Sequence, residues 1–241
     1  MSLRNALAHL TALRIPPRTR VPITHSLHYF PWVGAAHGSL NILGFIAASQ
    51  VLPVPLACLF AVLLPQALAG FAPWRGVLEA VQGRHTRANQ PFAHGFRPDL
   101  KGVALVLALT LIKWFSLMII APDWRVRAAL AFPVLGMSAQ TWAFLRSVRM
   151  PGRSPLLVRR HIRAGFLSTF SLFLVFLFPL RAGAVLLLAG AVATWLLLRF
   201  RHPRRAPASR RELTRQTAGL VTEVSEAAML AALVFAGFVL F

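Results

Sequence analysis

The chain has 241 residues, 57% hydrophobic and 13% charged, with a mean hydropathy of +0.64 and a formal net charge of +20. Soluble domains lie nearer half apolar and a quarter charged, so an ordinary soluble domain is excluded. In so apolar a chain an excess of arginine follows the positive-inside rule, and nucleic acid is set aside as a partner.

The first thirty residues carry Arg4, Arg14, Arg18 and Arg20 and lack a continuous apolar core, which predicts no cleavable signal. Nearly uncharged windows then predict seven membrane-spanning helices at about 30–50, 51–72, 102–121, 128–144, 164–180, 182–198 and 225–241. Pro53 and Pro55 turn the first pair, and Pro179 with Arg181 separates the fifth span from the sixth. The expected fold is all-α: a polytopic membrane helix bundle forming one domain over 1–241. Long loops are expected at about 73–101, 145–163 and 199–224. The single cysteine, Cys58, falls inside an apolar run, has no partner for a disulfide and reads as a core residue.

Arginine placement predicts the orientation. Four basic residues precede the first span, five lie in 73–101, six in 145–163 and seven in 199–215. The opposite side holds only Arg125, Arg127 and Arg181. The N-terminus and the three long loops are therefore expected in the cytoplasm and the C-terminus on the far side. Most of these arginines read as topology signals. As a group they also suit anionic lipid headgroups or phosphorylated substrates.

Polar residues within spans carry a desolvation cost, so each is a candidate for function. His37 and Asn41 lie four apart on the first span beside Gly34, Gly38 and Gly44, a pattern that favours helix–helix hydrogen bonding along a small-residue seam. Two roles are open to Lys113: snorkelling to the far interface, or pairing with a phosphate or carboxylate inside the bundle. Ser138, Gln140 and Thr141 read as packing glue in the fourth span. His25, His28, His85, His94, His161 and His202 are scattered over loops without zinc spacing, and no Walker loop or Ser-His-Asp order is present.

Only six carboxylates exist: Glu79, Asp99, Asp123, Glu212, Glu223 and Glu226. Glu223 and Glu226, three apart at the start of the last span, read first as acids favoured by a helix dipole. Glu212 lies in an arginine-rich stretch and is expected to pair there. The stretch "RGVLEAVQG", residues 75–83, sets Arg75, Glu79 and Gln82 at offsets of zero, four and seven, on one face of a helix. Magnesium-dependent phosphoryl transfer usually needs carboxylates beside the substrate phosphates, and this chain has few.

Several stretches together resemble the cobalamin synthase family, the adenosylcobinamide-GDP ribazoletransferases. "LTALRIPPRTR" followed by "HYFPWVGAAHGSL" is similar to the family's N-terminal segment and first helix, through Arg14, Pro16, Phe30, Pro31, Val33, Gly34 and Gly38. "RGVLEAVQG" stands where the family has Asp-Gly-Leu-Ala-Asp-x-x-Asp-Gly. "GFRPDLKGVALVLALTLIKW" resembles its second motif through Arg97, Gly102 and Lys113, and "RQTAGLVTEVSEAAML" its last through Thr217 and Glu226. The resemblance runs over nearly the whole chain, as a match of layout more than of exact motif.

The resemblance implies an inner-membrane, multi-pass protein that joins adenosylcobinamide-GDP to α-ribazole or its phosphate and releases GMP, using Mg²⁺. Its partners would be the nucleotide-activated corrinoid, α-ribazole and membrane lipids, in a possible homo-oligomer. Arg75, Arg97 and Lys113 would clamp the diphosphate, and Gly76, Gly83 and Gly102 would line the ligand. Glu79, Asp99 and Glu226 would be the metal ligands.

Departures from the family fall on the chemistry. Its three first-motif aspartates are Arg75, Glu79 and Gln82 here, its preceding histidine is Pro73, and the aspartates of its second and third motifs are Gly95 and Gly219. An arginine in a metal position repels a divalent ion by several kcal/mol, roughly, at intermediate dielectric. Two readings stay open: a working transferase, or a non-catalytic homologue serving as a membrane binding protein or partner subunit. A permease subunit, resting on span count alone, ranks last.

Overall fold

A computed structural model describes residues 29–82, 99–147 and 215–240, with residues 185, 188, 189 and 191–197 between the last two stretches. The described residues are helical, with no strand among them. The helices are α1 (Phe30–Val51), α2 (Val54–Leu68), α3 (Ala72–Gln82), α4 (Leu100–Ile119), α5 (Pro122–Ser147) and α6 (Arg215–Leu240); residues 191–197 are helical too. α4 and residues 218–237 of α6 are each long and apolar enough to cross a membrane, and α2 with α3 qualifies as a bent pair. Two or three candidate spans thus stand among the described residues. Of the seven expected, 164–180 lies outside them and 182–198 largely so.

Two boundaries differ from the sequence expectation. The span placed at 51–72 is broken by a bend of 83°, and what was expected to be loop continues as α3. The last helix begins at Arg215 instead of near 225. The bend has a local cause. The Phe71 N–H donates to Gln66 O at 2.7 Å and the Gly70 N–H to Ala67 O at 2.9 Å, the paired closure of a helix that ends on a left-handed glycine. Gly70 has φ 61° and Phe71 follows at φ 57°, which is strained for a side chain of that size.

α1 lies against α5 at backbone contact. A Cβ at Gly34 would stand 2.9 Å from both Pro133 O and Val134 Cα, and one at Gly38 would strike Leu130 O. Asn41 Nδ2 donates to Ala129 O at 2.8 Å across this seam. At the α4–α5 turn, Arg125 closes the end of α4, donating from Nε to Ile120 O (3.0 Å) and from Nη2 to Met118 O (2.8 Å).

Two apolar clusters form the core. One gathers Phe45, Cys58, Val62, Leu117, Phe132, Leu135 and Leu230 with their neighbours; the other holds Val77, Ala80, Val106, Leu109, Leu220 and Ala227. The C-terminal half of α1, the N-terminal halves of α2 and α5 and the C-terminal ends of α4 and α6 share the first cluster. Hence α1, α4 and α6 run one way and α2 and α5 the other. Along α4 and α6 a layer of polar side chains separates the two clusters.

Candidate functional site

The polar layer is built by three helices. Lys113 on α4 is fully buried, and its Nζ donates to Glu223 Oε2 at 2.7 Å and to Glu226 Oε2 at 2.9 Å, both on α6. Gln66, in the last turn of α2, donates from Nε2 to Glu223 Oε1 at 2.5 Å. Glu226 also packs on α5, where a Cβ at Gly136 would come 2.5 Å from Glu226 Oε1. Beside the cluster, Thr222 donates to Gln140 Oε1 at 3.2 Å, and Thr194 and Ser225 hydroxyls lie 3.1 Å apart. So Lys113 takes the pairing role and does not snorkel. Glu223 and Glu226 sit eight and eleven residues inside α6, too deep for the helix-dipole reading.

Sequence reasoning did not single out Gln66. The available signal was an amide in an apolar helix, one turn before a glycine, where it must find a partner inside the bundle. Gln140 serves as the helix–helix glue expected of it, whereas Ser138 Oγ and His37 Nε2 are buried without a hydrogen-bond partner.

α3 is the second element of interest, because it carries "RGVLEAVQG". Its apolar side seats Val77 and Ala80 in the core, leaving Arg75 and Glu79 half-buried. α3 touches both other motif stretches. A Cβ at Gly102 of α4 would lie 3.1 Å from Leu78 Cδ2, and one at Gly219 of α6 would lie 2.6 Å from Pro73 O and 3.0 Å from Gly76 Cα. Stretches separated by more than a hundred residues therefore converge on one short helix. At Gly102 and Gly219 the missing side chain admits a neighbouring helix.

Gly83 and Arg97 lie outside the described residues, as does the expected pairing of Glu212. Asp99 is exposed at the start of α4, where its side chain makes no capping hydrogen bond.

Within the described residues the donor set does not fit the Mg²⁺ that the resemblance implies. Among the described residues no three His, Cys, Asp or Glu side chains come together. Of the six carboxylates in the chain, two are held by Lys113, Asp123 stands in the first turn of α5 and Asp99 points to solvent. Glu79 on α3 shares its face with Arg75 instead of a second acid.

A family model described as cobalamin-5-phosphate synthase matches residues 2–87, a stretch that takes in α1, α2 and α3. The match supports the cobalamin synthase family. No curated protein and no solved structure matches the chain.

Proposed function

We propose that this chain is a cobalamin-synthase-type membrane protein acting in the last steps of cobalamin biosynthesis. There it joins adenosylcobinamide-GDP to α-ribazole, or its phosphate, with release of GMP. The observation that carries this reading is the family match over residues 2–87, which ends on the α3 stretch. In the whole protein seven spans cross the inner membrane, with the N-terminus and the arginine-rich loops in the cytoplasm where the phosphorylated substrate is available.

Arg75 and Arg97 hold the diphosphate by charge-assisted hydrogen bonds. Guanidinium groups aimed at phosphoryl oxygens stabilise the charge that builds as GMP departs. Glu79, one turn after Arg75, is placed to orient that guanidinium or to accept a substrate hydroxyl. Lys113 is left out of the clamp because its ammonium is committed to Glu223 and Glu226. No step is assigned to Mg²⁺.

A second reading is favoured by one observation, the absence of a three-acid cluster among the described residues. On it the chain is a non-catalytic homologue that binds the anionic substrate or a partner subunit. Purified protein in liposomes, given adenosylcobinamide-GDP, α-ribazole phosphate and Mg²⁺, separates the two. The first reading expects cobalamin phosphate and stoichiometric GMP above a no-enzyme control, with the rate falling at least about a hundredfold in Arg75→Ala. No product, beside an active family member with intact aspartates, leaves the second.

A further inference from the structure

Gln66 is bonded in two directions from the last turn of α2. Its side-chain Nε2 donates to Glu223 Oε1 at 2.5 Å, while Lys113 donates to the other oxygen of the same carboxylate, Oε2, at 2.7 Å. Its main-chain carbonyl accepts the Phe71 N–H at 2.7 Å, and Phe71 O in turn accepts the Arg75 N–H at 3.0 Å. Two main-chain hydrogen bonds therefore lead from Gln66 across the bend to Arg75, in the first turn of α3. The bend needs such an anchor. Pro65, inside α2, has no N–H to give Ala61 O, so the last turn is joined to the rest of the helix by one hydrogen bond fewer. Phe71 is held at φ 57°, a conformation that persists only where its surroundings over-determine it.

We infer that Gln66 is a positioning residue, through which the buried Lys113–Glu223 pair sets the angle of α3 and the place of Arg75. Lys113 fixes Glu223 from α4, Glu223 fixes the Gln66 amide from α6, and the Gln66 carbonyl fixes the turn that starts α3. The amide is bound through its N–H alone, since Oε1 is buried without a hydrogen-bond partner. Loss of that one hydrogen bond unties the elbow from the ion pair even where the side-chain volume is kept. The competing account is that α3 is held by its own contacts, Val77 and Ala80 in the core and Pro73 on Gly219, so that Gln66 matters to stability alone. The effect on turnover rests on the reading that Arg75 holds the diphosphate; the effect on the elbow does not.

The test puts spin labels on α2 at Leu56→Cys, an exposed position, and on α3 at Val81→Cys, in a Cys58→Ala background. Double electron–electron resonance on the full-length protein in lipid nanodiscs reads their separation. With Gln66 in place a single short distance is expected. Gln66→Met keeps the length of the side chain without its N–H, and is expected to add a population at least about 5 Å longer as the arms open. Gln66→Glu combined with Glu223→Gln restores the hydrogen bond with donor and acceptor exchanged, and should return the single short distance. In the liposome assay, Gln66→Met is expected to raise KM for adenosylcobinamide-GDP at least about tenfold, and the exchanged pair to recover most of that loss. An unchanged distance in Gln66→Met would overturn the inference, as would an exchanged pair that folds and keeps the longer distance. Gln66→Leu is run in parallel, and failure of both apolar variants to fold would also overturn it, because the role is then structural. If the protein with Gln66 makes no product, the diphosphate reading of Arg75 falls, and the distances still decide the role of Gln66.

Discussion

Asn41 and Pro133 meet at a single carbonyl. Proline has no N–H, so Ala129 O, four residues earlier on α5, lacks its helical donor. Asn41 on α1 supplies one at 2.8 Å, 88 residues away in the chain. In a low-dielectric interior an unsatisfied carbonyl is costly, which makes this a required contact. Asn41→Ala is expected to destabilise the protein by about 1–3 kcal/mol. In a Pro133→Ala background, where the backbone can donate to Ala129 O again, the same change should cost less. Thermal unfolding of the four proteins in detergent gives the coupling directly; equal costs in both backgrounds would refute the pairing. The sequence marked Asn41 as a helix–helix hydrogen-bonding residue but could not name its acceptor, because the need arises from a proline on another helix. Lys113 was equally ambiguous. Which of its two roles holds depends on where α6 begins; Pro203 and Pro207 break the arginine-rich stretch, but the apolar window alone places that start near 225 instead of at Arg215.

Among the elements, the bend between α2 and α3 decides what the candidate site can be. Composition read 51–72 as one run, since a glycine among apolar residues leaves hydropathy unchanged; the closure at Gly70 turns the chain by 83° nonetheless. α3 is thereby laid across α6, where Pro73 and Gly76 rest on Gly219. The sequence expectation is loop from residue 73, although Arg75, Glu79 and Gln82 have the offsets of one helical face; the structure makes 72–82 a helix. The sequence did not carry the consequence for Gly219, the position where the family's third motif has aspartate. A side chain there would begin 2.6 Å from Pro73 O, against backbone that has little freedom to yield. Gly219→Asp, which would restore the acid, is therefore expected to lift α3 off α6 without restoring a metal site. Trypsin should then cut at Arg75 faster than in wild type. Gly219→Ala should shift stability the same way, by about 1–3 kcal/mol, because the Cβ alone makes the clash. Wild-type stability and protease resistance in Gly219→Asp would show that the crossing is looser than the contact with Pro73 implies.

For the whole molecule, orientation rests on charge, while the antiparallel run of helices rests on packing. The first apolar cluster collects the 52–53 and 120–121 turns with the C-terminal half of α6 at one end of the bundle. The arginine-rich segments 73–101 and 199–215 join the opposite ends of these helices. An alternation derived from basic residues and an alternation derived from core contacts therefore agree without sharing an input, although packing alone does not say which end faces the cytoplasm. The positive-inside rule would put the basic ends in the cytoplasm, because basic loops resist translocation. The chain provides its own background for the measurement: its single cysteine, Cys58, is buried, so Cys58→Ala yields a cysteine-free protein at the cost of one core sulfur. In that background Ala121→Cys, at the turn between α4 and α5, is expected to react with a membrane-impermeant maleimide in intact spheroplasts. Ser154→Cys and Ser209→Cys, in two of the basic segments, should react only after lysis. The reverse pattern would place the arginine-rich face outside the cell. It would also remove the transferase reading, since a nucleotide-activated substrate made in the cytoplasm would then meet the wrong side of the bundle.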